Sequence, residues 1–162
     1  MDIKSKLTLI TGGASGIGRL MAIQMARQGS RIILWDINEI SMQAIAEEIQ
    51  STGGECLIFV CDLTNKKNIY DLAQRIIEKY GPVDILINNA GIANGKSFLD
   101  CSDEMIERTM AVNTMAPMWT TRAFLHKMIE ADSGHVVTIA SAAGLVGTPQ
   151  LADYSASKFA MV

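Results

Sequence analysis

Short β-branched runs alternate with longer helical stretches along the whole chain, and the first run ends directly in a glycine loop. LTLI (7–10) leads into Thr11-Gly12-Gly13-Ala14-Ser15-Gly16-Ile17-Gly18, and helical periodicity follows at once in Ile17, Leu20, Met21 and Met25, with Gly29 as the stop. RIILWD (31–36), CLIFVC (56–61), VDILIN (83–88) and HVVTIAS (135–141) are further strands. Between them the pattern predicts a helix capped by Asn38 that ends at Gly53-Gly54. A second, capped by Thr64, runs from about Lys66 to Tyr80 and stops at Gly81-Pro82, and a long helical region extends from Ser102 to Glu130. Asp153 to Val162 opens one more. Strand–helix–strand at this spacing means βαβ units. The fold class is therefore α/β: a parallel sheet with right-handed crossovers and helices on both faces, in three layers. The strands are nearly continuous apolar runs, as strands covered on both faces are.

Composition removes several alternatives. Apolar residues make up 49% and charged residues 19%, too rich in the first for a disordered chain. Fourteen Lys+Arg against seventeen Asp+Glu give a net charge of −3, without the basic stripe that nucleic acid requires. No apolar run approaches the ~20 residues of a membrane span, and MDIKSK carries no apolar signal core. Cys56, Cys61 and Cys101 form no CxxC and read as reduced thiols, so the expected compartment is the cytoplasm. His126 and His135 have no ligand spacing around them, and no metal is expected. The 162 residues read as a single domain, 1–162. Because Val162 falls only a few residues into the last helix, the expectation is an N-terminal portion of a longer fold.

Gly12, Gly16 and Gly18 let the loop turn tightly and let backbone N–H groups approach a pyrophosphate, which the N-terminus of the following helix also favours. Ser15 and Ile17 belong to the same cradle. Asp36 ends the second strand, where a carboxylate accepts hydrogen bonds from the adenosine ribose and repels a 2′-phosphate. Neither Ser15 nor Ile37 offers a cation for that phosphate, so NAD(H) is expected in preference to NADP(H). Asp62, with Leu63 beside it, follows the third strand. It is an acceptor for the adenine amino group or the start of an Asx turn. Asn89, Ala90 and Gly91 follow the fourth strand, where small residues allow close approach to a ligand and amides serve ribose or structural hydrogen bonds.

Tyr154 and Lys158 are one helical turn apart in Tyr-Ser-Ala-Ser-Lys, and Ser141 closes the fifth strand. A free phenol is a poor base at neutral pH, but a nearby ammonium and a cationic nicotinamide both favour its phenolate. Tyr154 then takes the alcohol proton as hydride leaves carbon, or returns it in the reverse direction, while Ser141 orients the substrate oxygen. Pro117 cannot donate to the carbonyl of Asn113, so either a kink frees that carbonyl to hold a water or Pro117 opens a new helix.

TGGASGIG, Asp36, Asp62, NNAG (88–91), Asn113, Ser141 and YSASK (154–158) together resemble the short-chain dehydrogenase/reductase family, over nearly the whole chain. The resemblance implies a Rossmann-type doubly wound sheet of strand order 3-2-1-4-5, with C-terminal strands that are missing here. It implies a catalytic Asn113–Ser141–Tyr154–Lys158 tetrad, with Tyr154 and Lys158 also at the cofactor and Lys158 on the nicotinamide ribose. A homo-oligomer is also implied. The stretches Ala140–Leu145 and Leu151–Tyr154 are similar to the retinol and 17β-hydroxysteroid dehydrogenase branch, which implies a small apolar secondary alcohol or ketone as substrate. Acyl-carrier-linked reductases fit Asp36 poorly. From another class, the alternative is a dinucleotide-binding fragment without turnover.

Overall fold

The computed structural model describes residues 2–162. The elements are β1 (Leu7–Thr11), α1 (Gly16–Arg27), β2 (Arg31–Asp36), α2 (Glu39–Ser51), β3 (Cys56–Val60), α3 (Lys66–Tyr80), β4 (Ile85–Asn88), α4 (Asp103–Met110), α5 (Ala116–Glu130), β5 (His135–Thr138) and α6 (Ala152–Phe159). All strand pairs are parallel and the sheet order is β3-β2-β1-β4-β5, the Rossmann-type order that the resemblance implies. The chain turns back at β1 to build the second half of the sheet. A crevice therefore opens between β1 and β4 at their carboxyl ends.

Strand residues alternate between two cores. Leu9, Ile33, Trp35 and Leu86 face α3 and α5, where Ile69, Leu72, Ile76 and Phe124 cover them. Ile10, Ile32, Leu34, Ile85 and Ile87 face α1 and α2, against Ala22, Ile23, Met42, Ile45 and Ile49. Trp35 and Phe124 meet as tilted rings 5.8 Å apart, both fully buried. Asp84 registers β4 against β1: one carboxylate oxygen accepts the Leu7 N–H at 2.8 Å and the other meets Lys6 Nζ at 3.1 Å.

Three local expectations are corrected. The cap of α3 is Asn65, whose side chain accepts the Asn68 N–H, because Thr64 is held by Asp62 instead. β4 and β5 are shorter than their apolar runs, so Ser141 lies three residues past the end of β5 rather than on it. The helical region from 102 to 130 is interrupted: residues Ala111–Met115 wind as a π-helix between α4 and α5. Pro117, at the start of α5, has no N–H for the carbonyl four residues back. The turn widens to accommodate the missing bond, as π-bulges do. Of the methionines on this stretch, Met128 is core, whereas Met115 and Met118 are exposed. Among the described residues no helix is long and apolar enough to cross a membrane, and no His/Cys/Asp/Glu cluster could hold a metal.

Because Phe124 fills the α5 side of the core against Trp35, Phe124→Ala should destabilise the protein by about 3–5 kcal/mol. Urea denaturation should show a lower midpoint at an unchanged slope.

Candidate active site

The β1–α1 loop is shaped by close backbone contact. Gly12 and Gly16 have φ of +65° and +51°, in the left-handed region. A Cβ on Gly18 would come within 2.3 Å of the Gly12 carbonyl oxygen and 2.6 Å of Asn89 Nδ2, so no side chain fits there. α1 then begins without a side-chain cap at Ser15, whereas α2, α3 and α4 are capped by Asn38, Asn65 and Ser102. The first N–H groups of α1 are thus left for another acceptor.

That terminus opens on a cleft of about 510 Å³ at the carboxyl ends of four strands. Gly12, Ser15, Gly16 and Ile17 line it from the first loop. Asp36 and Ile37 line it from the end of β2, Asp62 and Leu63 from the end of β3, and Asn89 through Ile92 from the end of β4. Ten of the sequence-predicted cofactor residues are therefore brought to one place, whereas Gly18, Tyr154 and Lys158 stand outside this lining. A larger hollow of about 620 Å³ lies over α5 and the end of α6, lined by Met118, Leu125, Ile129 and Met161, but it holds neither the glycine loop nor the Tyr154–Lys158 pair.

Three of these residues are partly occupied by the fold itself. Asn89 Nδ2 donates to the carbonyls of Thr11 (2.9 Å) and Gly12 (3.1 Å), so its amide protons serve the loops. Thr11 Oγ1 in turn accepts the N–H groups of Asn89 and Ala90, both at 3.1 Å. Asp62 makes the Asx turn, with one oxygen taking the Thr64 N–H and hydroxyl. Asp36 accepts the N–H of Ala14 through one oxygen and that of Asn38 through the other, both at 3.1 Å. These bonds fix the Asp36 carboxylate at the cleft wall with lone pairs to spare. Asn88 faces away from the cleft and bonds to Thr120 and Thr121 on α5. Cys61 also lines the cleft. Burial, reinforced by Asp62, pushes its thiol up to about 12, which leaves it unreactive.

The second cluster joins the first at Gly91. Asn113 Oδ1 and Lys158 Nζ each lie 3.6 Å from where a Cβ on Gly91 would stand. Asn113 is 1% exposed. It grips the Ile92 backbone in both directions, accepting its N–H and donating to its carbonyl at 2.8 Å each, and gives its remaining proton to Ser157 Oγ at 3.0 Å. Ser157 Oγ donates to the Tyr154 carbonyl at 2.6 Å. Lys158, 4% exposed, donates to the Ile139 carbonyl at 2.7 Å, and its Nζ stands 5.8 Å from the Tyr154 ring centre. Burial lowers the Lys158 ammonium below the ordinary lysine value. Ser141 caps the 3-10 turn Ala142–Gly144, accepting the Ala143 N–H at 3.2 Å and keeping its own hydroxyl proton free. Gly144 seats that turn on α6, where a Cβ would come within 2.5 Å of the Lys158 carbonyl oxygen.

Sequence reasoning missed Thr11, Ser157 and Arg108. Thr11 and Ser157 stand inside the motifs, and a hydroxyl among small residues was the available signal. Arg108 reaches the cleft from α4, one turn before Val112, and gives it a cation that the positions beside Asp36 do not supply.

Residues 6–162 match the family model described as short chain dehydrogenase. Human epidermal retinol dehydrogenase 2 is 46% identical over 160 residues, covering 98% of this chain and 52% of the relative. The chain spans about half the length of the curated relatives it matches. A metagenomic short-chain oxidoreductase in complex with NADP superposes with a TM-score of 0.95 at 31% identity, covering 99% of this chain and 73% of that one. A short chain dehydrogenase/reductase from Burkholderia phymatum in complex with NAD gives the same TM-score at 30% identity, with 99% and 58% covered.

Thr11→Val keeps the shape of the side chain but removes the acceptor of two half-buried N–H groups. It should cost about 1–3 kcal/mol per group left unpaired, lowering the thermal midpoint, while Thr11→Ser should stay close to wild type in the same melt.

Proposed function

Because the chain belongs to the short chain dehydrogenase family, we propose that it is the dinucleotide-binding and catalytic part of an oxidoreductase that interconverts an apolar alcohol and its carbonyl compound, with NAD(H) as the preferred cofactor. One observation carries this reading: a buried, carbonyl-anchored ammonium, Lys158, stands beside the Tyr154 ring and the Asn113 amide at the Gly91 edge of the cleft. That convergence favours turnover over binding alone.

The residues present fit a dinucleotide. The uncapped start of α1 and the Gly12–Gly18 contact leave room and N–H donors for a pyrophosphate, and the spare lone pairs of Asp36 would accept from a ribose diol. Ala90, Gly91 and the ammonium of Lys158 would hold the nicotinamide half. When bound, the nicotinamide supplies the hydride acceptor or donor. The chain's own residues handle the proton. Tyr154 Oη receives it from the alcohol oxygen or returns it. Lys158, with a cation–π geometry to the Tyr154 ring, favours the phenolate. The free hydroxyl proton of Ser141 is available to the substrate oxygen. Asn113 fixes the Ile92 backbone, and through Ser157 it fixes the Tyr154 turn. The human relative carries retinol, an apolar alcohol, in its name. This supports an apolar alcohol as the substrate class and widens it beyond secondary alcohols. Free Cys56 and Cys61, both buried, are compatible with a reducing, cytoplasmic setting, and a homo-oligomer remains part of the proposal.

Tyr154→Phe keeps the ring volume and should leave NAD affinity near wild type while kcat falls about 10²–10⁴-fold. Lys158→Ala should lose turnover and cofactor affinity together. A Tyr154→Phe enzyme that keeps more than about a tenth of kcat would remove Tyr154 as the general acid–base. Asp36→Ala combined with Ile37→Arg should shift the NAD/NADP affinity ratio toward NADP, since a guanidinium pairs with the 2′-phosphate. An unchanged ratio in fluorescence titrations would end the selector role of Asp36.

A further inference from the structure

Directly before Tyr154 stands a buried carboxylate that the proposed mechanism does not use. Asp153 is 5% exposed and lies in the first turn of α6. Its Oδ2 accepts Thr109 Oγ1 and Asn94 Nδ2, each at 2.8 Å. Asn94 Nδ2 also stands 3.0 Å from Thr109 Oγ1. Thr109 Oγ1 also stands 2.9 Å, and Asn94 Nδ2 3.4 Å, from the Met105 carbonyl, so the Thr109 hydroxyl proton has two acceptors, that carbonyl and Asp153 Oδ2, while the amide protons of Asn94 are shared among Asp153, Thr109 and Met105. Burial would raise the Asp153 carboxyl, but the bonds from Thr109 and Asn94, with backbone N–H groups at the helix start, hold it below its ordinary value. An anion also suits the N-terminal turn of a helix, and α6 begins with no side-chain cap.

This cluster ties three separate pieces of chain: α6 through Asp153, α4 through Thr109, and the segment after β4 through Asn94. The same segment is gripped two residues earlier, at Ile92, by Asn113. The stretch from Gly91 to Asn94, which begins at the cleft edge, is therefore fastened at both ends, and its far end is fastened to the residue preceding Tyr154. Thr109 is fully buried and Asp153 nearly so, and a half-satisfied network there would be costly, which makes the arrangement rigid.

We propose that Asp153, Thr109 and Asn94 form a positioning clamp that sets where Tyr154 stands relative to the 91–94 segment, and so sets kcat. The proposal rests on the role of Tyr154 argued above. Misplacement of a proton-transferring group by about 1 Å costs on the order of 10²-fold in rate. The clamp touches neither the glycine loop nor Asp36, so cofactor affinity is separable from it.

The test uses Thr109→Val, Thr109→Ser and Asp153→Ala in the otherwise intact protein, carrying 3-fluorotyrosine, with the Tyr154 fluorine signal assigned by its loss in Tyr154→Phe. Thr109→Val and Asp153→Ala should each lower kcat at least about ten-fold and shift or broaden the Tyr154 signal, with NAD affinity within about three-fold of wild type. Thr109→Ser, which keeps the hydroxyl, should restore both the signal and kcat. The clamp is overturned if the Tyr154 signal does not move in Thr109→Val, if kcat and NAD affinity fall by the same factor, or if Thr109→Ser behaves like Thr109→Val. Should Asp153→Ala not fold, the Thr109 pair decides alone. Absence of alcohol turnover in the unsubstituted protein would overturn the enzymatic reading itself, while the fluorine signal still reports whether Thr109 sets the place of Tyr154.

Discussion

The candidate site hangs from the junction of β1 and β4, where two strands that are distant in sequence exchange hydrogen bonds across their carboxyl ends. Thr11 Oγ1 accepts two N–H groups from the far side, and Asn89 returns its two amide protons to the carbonyls of Thr11 and Gly12. Backbone groups at the end of a parallel strand have lost their ladder partners, and burying them unpaired is expensive. Here they are satisfied mutually, which closes the β1 and β4 loops onto one another. Gly18 is obligatory for the same reason: it packs α1 directly on the Gly12 carbonyl and the Asn89 amide. A ligand laid across the sheet end therefore meets a backbone surface that is already fixed.

The second half of the site depends on the π-turn at Ala111–Met115. A regular helix through these residues would carry Asn113 round by 100° per residue and stack every carbonyl on an N–H four residues on. Pro117 makes one of those bonds impossible, and the turn widens where Asn113 stands. The Asn113 side chain then reaches both polar atoms of Ile92 and the Ser157 hydroxyl of α6. A local defect in one helix thus holds two other segments in register.

Strand order and helix placement are legible in the chain because βαβ connectivity is close to a geometric necessity and the apolar runs are unambiguous. The glycine loop, Asp36 and the Tyr154–Lys158 pair are legible because each lies within a few residues of a strand end or helix start. The choice of Asn65 over Thr64 as a cap is not, since both are adequate and the decision belongs to Asp62, which captures Thr64. Nor is the true end of β5, because Ile139 to Ser141 is as apolar or small as the strand before it, and only the partner β4 determines where pairing ceases. The Asp153–Thr109–Asn94 cluster has no local signature at all. Its members lie 44 and 59 residues apart, and only the folded packing of α4 against α6 brings them together.

The open start of α1 has a further consequence for the free energy of the whole chain. A helix that leaves its first N–H groups without a side-chain acceptor has part of its secondary structure completed from outside. Any anion that completes it binds the folded chain and not the unfolded one. By mass action it adds stability that grows with the logarithm of its concentration, about 2.7 kcal/mol at a hundred times its dissociation constant. For a fold whose margin is of the order of 5–15 kcal/mol, the supply of that ligand sets resistance to proteolysis and heat as well as occupancy. A glycine cradle that takes such an anion would be at once a recognition element and a thermostat for the lifetime of the protein.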